Sequence, residues 1–198
     1  MKAIRVYFCV FVFVFLQSFT STNSASNETF VIKTKYELKV ETKTKNYLTT
    51  NQYNGLMVKL AKKESGSNWR IYSKVKNKKG QIVKAIGKYQ FMPCALKQVG
   101  FGHITYEEFV KNPNIFPEKD QELAMKRCLA FNKKVLAKHI TKYVGTTMNG
   151  VLITEQGILA MAHLAGAGGA MKYLDSNGKN NPKDANNTHA GDYLKNFN

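Results

Sequence analysis

One carboxylate in the sequence sits where carboxylates are rare. Tyr53, Leu56, Met57, Leu60 and Ala61 recur at helical spacing, and Glu64 takes the next place on the same apolar stripe. Burial raises the pKa of a carboxyl group, and a proton retained near neutral pH is what a general acid needs. The other acidic residues have ordinary settings. Glu37 and Glu41 alternate with lysines, and Glu107 and Glu108 fall in the first turn of a predicted helix. Glu118, Asp120 and Glu122 crowd the start of a longer helix and Glu155 sits just inside another, where the helix dipole favours negative charge. Taken alone, a glutamate at an apolar helix end is more often a structural hydrogen-bond partner than a catalyst, so its sequence company decides.

Other chemistries have less behind them. His103, His139, His163 and His189 are widely spaced and lack cysteine or carboxylate company at ligand spacing, so neither a metal nor a cofactor is expected. His163 falls on a strongly apolar stretch and reads as a core residue or a cleft liner. No G-x-S-x-G occurs, and a peptidase reading would require Cys94 or Cys128 as a nucleophile paired with a histidine. The glycine-rich run from Ala165 to Ala170 lacks the preceding strand and the lysine of a phosphate-binding loop.

The elements that must position Glu64 are mostly helical. A helix is predicted from Gln52, then a loop rich in Lys, Gly and Asn over roughly 65 to 86. Pro93 opens a short helix stopped by Gly100, and Thr105 with Glu108 forms a capping-box pattern for the next. Pro117 starts what reads as the longest helix, to about Ile140, with Leu123, Cys128, Leu129, Val135 and Leu136 on its apolar face. Thr154 caps a helix that is apolar almost all round from Gly157 to Leu164 and is therefore expected at the centre; Gly166, Gly168 and Gly169 break it. Short helices near 169–175 and 190–197 follow, with an Asn-rich loop between them. Cys94 and Cys128 both read as core-facing, and a disulfide between them is expected to pin the segment before Cys94 to the long helix.

The N-terminal part differs. Lys2 and Arg5, the apolar run Val6 to Leu16 and the small and polar residues Ser18 to Ser26 make the three-part pattern of a secretory signal peptide over residues 1–26, cleaved near Ala25 or Ser26. Export to a secreted or periplasmic location follows, with no stable membrane span after cleavage, because the run is shorter than the roughly 20 residues a spanning helix needs. Cys9 leaves with this segment. Residues 27–50 are expected to form an extended arm, since Phe30, Ile32, Tyr36, Leu38 and Val40 alternate with polar residues as in one strand. Residues 51–198 make one domain. The formal charge is +17, and +15 without Lys2 and Arg5, so the chain attracts polyanions. Export argues against nucleic acid and leaves an anionic cell wall, although a Lys- and Asn-rich composition alone explains the charge equally well.

Three segments now fall in order. Glu64-Ser65-Gly66 is followed by Gly87-Lys88-Tyr89-Gln90-Phe91-Met92-Pro93 and, far downstream, by Ala160-Met161-Ala162-His163-Leu164-Ala165-Gly166. This order resembles the lysozyme-like superfamily, specifically the catalytic domain of soluble lytic transglycosylases: a helix ending in E-S, a G-x-x-Q-x-M-P segment and an A-x-N-A-G-type helix end. The resemblance covers roughly residues 52 to 197. It implies a mainly α, lysozyme-like helical domain, here with an N-terminal extended arm. It implies Glu64 as the catalytic acid/base, Ser65 as support for its carboxyl group, and Gln90 lining a sugar cleft with Tyr89 and Met92 beside it. His163 stands where the family usually has a tyrosine that touches the site, and Leu164 where it usually has an asparagine. The interval from Glu64 to Gln90 is longer than usual, which suggests an inserted hairpin or loop near Lys74 to Lys84. The stretch from Asp184 through Tyr193 resembles the D-x-N-G-T…D-Y-L close of some phage and secretion-associated muramidases, without its glycine.

The implied activity is cleavage of the bond between N-acetylmuramic acid and N-acetylglucosamine in peptidoglycan, giving 1,6-anhydro ends. A hydrolytic muramidase needs a second carboxylate within about 10 Å, for which Asp184 and Glu155 are the candidates. A wall-binding protein that has lost catalysis is the third reading, and retention of Glu64, Ser65 and Gln90 argues against it. The expected partner is the peptidoglycan glycan strand, engaged by a monomer acting alone or within a secretion or wall-remodelling complex.

Overall fold

The computed structural model describes residues 48–77 and 79–198. The expected signal peptide at 1–26, and the expected arm at 27–50 up to residue 47, lie outside the described residues. The described part is mainly helical. Helix α1 (Thr50–Ser65) opens on a capping box in which Thr49 and Gln52 satisfy each other's backbone N–H groups. It buries Leu56, Met57, Leu60 and Ala61 and ends at Gly66 in the left-handed region. Within the expected loop over 65–86, the inserted segment near Lys74 to Lys84 is a hairpin: β1 (Tyr72–Lys76) pairs antiparallel with β2 (Ile82–Ile86), with Tyr72 opposite Ile86. The short helices α2 (Pro93–Gln98) and α3 (Tyr106–Lys111) follow, the latter capped by Thr105 as its spacing from Glu108 predicts.

Helix α4 (Glu118–Val135) is shorter than expected. Leu136, fully buried at φ −89° and ψ 6°, separates it from α5 (Ala137–Tyr143). Its inner face is Gln121, Ala124, Met125, Cys128, Leu129 and Asn132, an i, i+3, i+4, i+7 series. Leu123 and Val135, expected on that face, are exposed because neither falls in this series. A two-residue ladder, β3 (Thr147–Met148) with β4 (Val151–Leu152), leads to α6 (Glu155–Asp175), which Thr154 caps. Ile158 to Ala162 are all buried, and α6 packs on α1, α4, α5 and α7 (Ala190–Asn196). It is the central helix that its uniform apolarity predicts. Gly166 interrupts it at φ 71° and ψ 162°. Gly157 lets α7 come close, since a Cβ there would stand 2.8 Å from Leu194 O.

The expected disulfide is absent. Cys94 is exposed on α2, Cys128 is buried on α4, and both thiols are free. The buried residue of α2 is Leu96, and two residues of helix turn a side chain by about 200°, which points Cys94 to the opposite side. Burial pushes the Cys128 thiol up to about 11. No helix among the described residues is long and apolar enough to cross a membrane.

Candidate functional site

Glu64 closes the inner stripe of α1, and its side chain is only 16% exposed. Its Oε1 accepts a hydrogen bond of 2.5 Å from the Tyr193 hydroxyl on α7 and lies 3.7 Å from His163 Nε2 on α6. These three residues meet because α1 and α6 run parallel, side by side. At their starts the Tyr53 hydroxyl donates to Glu155 Oε1 at 3.1 Å. Glu64 lies eleven residues further along α1 and His163 eight further along α6, about 16 and 12 Å of helical rise, which brings them together at the other end.

The second wall is the turn from Gly87 to Gln90. Ile86 and Phe91 exchange backbone hydrogen bonds of 3.0 and 2.8 Å across it. Its carbonyls face the site: Lys88 O accepts from Ser65 Oγ at 2.7 Å, and Tyr89 O lies 3.1 Å from His163 Nε2. A carbonyl only accepts, so His163 Nε2 carries a proton. Burial holds the His163 pKa below the ordinary value, against the opposing pull of the Glu64 charge and the Tyr89 carbonyl. The imidazole is therefore neutral at pH 7. The Tyr193 phenol is shifted far up, first by burial and then by the Glu64 charge and hydrogen bond, with a further contribution from Asp184. It keeps its proton and donates it.

A fully buried amide ties this turn to the scaffold. Gln121 Oε1 accepts from Lys88 N at 2.6 Å, and Gln121 Nε2 donates to Trp69 O and Phe116 O at 2.8 and 2.7 Å. Gly87 has φ 77°, and a Cβ there would stand 2.3 Å from Gln121 Oε1, so both the conformation and the space demand glycine. The Lys88 ammonium sits between Glu118 at 2.9 Å and Glu122 at 2.6 Å. Burial disfavours its charge, and the two carboxylates outweigh that, raising its pKa.

The structure thus gathers Glu64, Ser65 and His163, but not every residue expected with them. The Tyr89 side chain is buried in the core against Phe91, with ring centroids 5.9 Å apart, and contributes its carbonyl instead. Gln90, at φ 48°, folds its amide back onto Gly87 O at 2.9 Å, completing its own turn rather than reaching over a cleft. Met92 is exposed at the head of α2. Glu155 lies near the other end of α1, buried and ion-paired with Lys133 at 2.7 Å, which removes it as a second carboxylate. Asp184 Oδ1 accepts from Asn186 N and Thr188 N, both at 2.8 Å, and its charge still reaches Tyr193.

Sequence reasoning gave no role to Tyr193 or Gln121. Tyr193 ends the Asp184–Tyr193 segment singled out by resemblance, and that was the signal for it. Gln121 had a signal too, a polar residue at the inner i−3 position before Ala124. Searches for a matching protein-family model, for similar curated proteins and for similar solved structures find no match to this chain.

Proposed function

We propose that this protein cleaves the glycan strands of peptidoglycan as a lytic transglycosylase, with Glu64 as its single acid/base, after export across the membrane. The observation that carries the reading is the enclosed Glu64 carboxyl, held by the Tyr193 hydroxyl at 2.5 Å and faced by the His163 imidazole at 3.7 Å rather than by an ammonium group. A carboxyl so placed serves a reaction that needs one group to give and then take a proton. Protonated Glu64 donates to the glycosidic oxygen, the C1–O bond breaks, and an oxocarbenium-like centre develops at C1. The carboxylate then removes the proton of the same sugar's 6-hydroxyl as that oxygen attacks C1. Both protons are accounted for, and the product is a 1,6-anhydro sugar. Ser65 and His163 support the chemistry by tying α1 and α6 to successive carbonyls of the Gly87–Gln90 turn.

The hydrolytic reading stays second, favoured by one feature: the charge of Asp184 reaches the Tyr193 phenol that holds Glu64. Digestion of purified cell wall followed by mass analysis of the products tests both readings. Anhydro products, one water lighter than hydrolysed ones, are expected from the wild type, and none of either kind from Glu64→Gln. Products of the heavier mass would replace the transglycosylase by the muramidase. Equal turnover by Glu64→Gln would end the assignment.

A further inference from the structure

Asparagine is followed by glycine three times in the chain, at Asn54-Gly55, Asn149-Gly150 and Asn177-Gly178. Such a pair can react with itself. The backbone nitrogen of the glycine can attack the side-chain carbonyl carbon of the asparagine, since no Cβ stands in the way. The attack needs that nitrogen free of hydrogen bonds and the backbone free to bend toward the side chain. In two of the pairs the fold ties the nitrogen down. Gly55 lies in α1, where its N–H is engaged in the helix ladder. Gly178 N donates to Tyr173 O at 2.8 Å, in the turn that follows α6.

Asn149-Gly150 is different. It forms the whole of the two-residue connection between β3 and β4, at φ 50° and 77°. Both residues are exposed, and Gly150 N has no hydrogen-bond partner among the described residues. Only Thr147 with Leu152 and Met148 with Val151 pair across the turn, so opening it locally costs little. The Asn149 amide is nevertheless seated. Its Nδ2 donates to Asn177 O at 3.4 Å and lies on Gly178, where an added Cβ would stand 2.3 Å from it.

We propose that Asn149 is a self-modification site, at which the folded chain deamidates ahead of its other two Asn-Gly pairs. Gly150 N forms a bond to Asn149 Cγ, the Cγ–Nδ2 bond breaks, and Nδ2 leaves as ammonia with the proton given up by Gly150 N. A five-membered succinimide remains. Water then opens the ring at one of its two carbonyls. Opening at Cγ gives aspartate. Opening at the main-chain carbonyl carbon gives isoaspartate, with the backbone rerouted through Cγ. One water is taken up and one ammonia released. Neither product has an N–H to offer Asn177 O, and both carry a carboxylate at neutral pH. The turn is thereby released from the segment that follows α6, and isoaspartate also adds one backbone atom to the β3–β4 connection.

Full-length protein is held in mildly alkaline buffer, folded in one arm and in urea in the other, and digested with trypsin at intervals. Lys59, Lys142, Lys172 and Lys179 place the three pairs on separate peptides. In the folded arm the peptide of residues 143–172 should gain one mass unit and elute as two products. The peptides with Asn54 and Asn177 should lag about tenfold or more, because their glycine nitrogens must first be freed. In urea that lag should vanish. A folded-state rate at Asn54 or Asn177 equal to that at Asn149 overturns the proposal, as does an Asn149 peptide that changes in urea alone. Asn149→Gln, whose longer side chain would have to close a six-membered ring, should keep the mass of its peptide. A mass gain in that variant would assign the change to Gln156, which also precedes a glycine, and sink the proposal. Hydrogen exchange over residues 173–179 should be faster in the modified protein than in the fresh one, and equal exchange overturns the release of the turn.

Discussion

The Tyr193 hydroxyl is the contact that most constrains Glu64. Tyr193→Phe removes that donor and leaves the ring, which stacks on Phe197 at 5.2 Å, in place. Loss of a hydrogen bond to a carboxylate costs about 1.5–3 kcal/mol of stability, so the variant should melt several degrees lower. On the proposed function, wall-cleaving activity at a temperature where it is folded should fall about 10-fold or more. Initial rates and a melting curve on the same sample check this. His163 makes a different prediction. Its folded pKa is lowered, so below about pH 6.5 the unfolded chain takes up a proton that the folded chain refuses. The stability tied to its neutral form is fully present above that pH. It is lost as pH falls toward the folded value, at up to about 1.4 kcal/mol per pH unit. His163→Gln keeps an N–H for Tyr89 O and has no such proton to refuse. Urea midpoints at pH 7.5 and pH 5 should therefore differ less for the variant than for the wild type. Equal differences would mean His163 titrates as an ordinary exposed histidine. Glu64 itself was legible in the sequence because a charged residue broke an apolar series. Tyr193 was marked only by ending the Asp184–Tyr193 segment and not by its own pattern, since a tyrosine on an apolar helix face looks like any core aromatic, and only the packing of α7 on α6 aims its hydroxyl at α1.

Among the elements, the Gly87–Gln90 turn carries the most consequence for its size. Four residues present two carbonyls to the site and receive one amide from below. Gly87→Ala forces a side chain into a left-handed conformation and against Gln121 Oε1. The strain and the displaced hydrogen bonds together should lower stability by about 3 kcal/mol, read as a drop in the denaturant midpoint. Wild-type stability in that variant would mean that Gln121 moves aside freely. Periodicity announced α1 and α6 because each buries an unbroken stripe. The β1–β2 hairpin was expected near Lys74 to Lys84 only from the long interval between Glu64 and Gln90, because its lysines leave β1 alternating only between exposed and half-exposed positions. The β3–β4 turn had a stronger signal than was used: Asn149-Gly150, with φ 50° and 77°, is the residue pair that tight hairpins favour. The break at Leu136 has no glycine or proline to mark it. The cysteines show the limit of reasoning from a helix face alone. Cys128 lies where the α4 series places it, while α2 is too short for any series to fix the direction of Cys94.

For the molecule as a whole, helical class and a central α6 followed from composition and pattern, whereas the meeting of α1, α6 and α7 depends on long-range packing that no local signal encodes. Glu64 and Tyr193 stand 129 residues apart. Contacts that close such long loops form late, after the local helices have gained their own stability. On dilution from denaturant, the far-ultraviolet helix signal should therefore recover before any wall-cleaving activity does, the lag being the docking of α1 against α6 and α7. Simultaneous recovery would place that docking in the first collapse. A chain folded only through α6 would already hold the carboxyl and the imidazole and would still lack the phenol. The order of assembly thus acts as a timer on the site: whatever chemistry Glu64 performs, its carboxyl is fully held only when the last helix is seated.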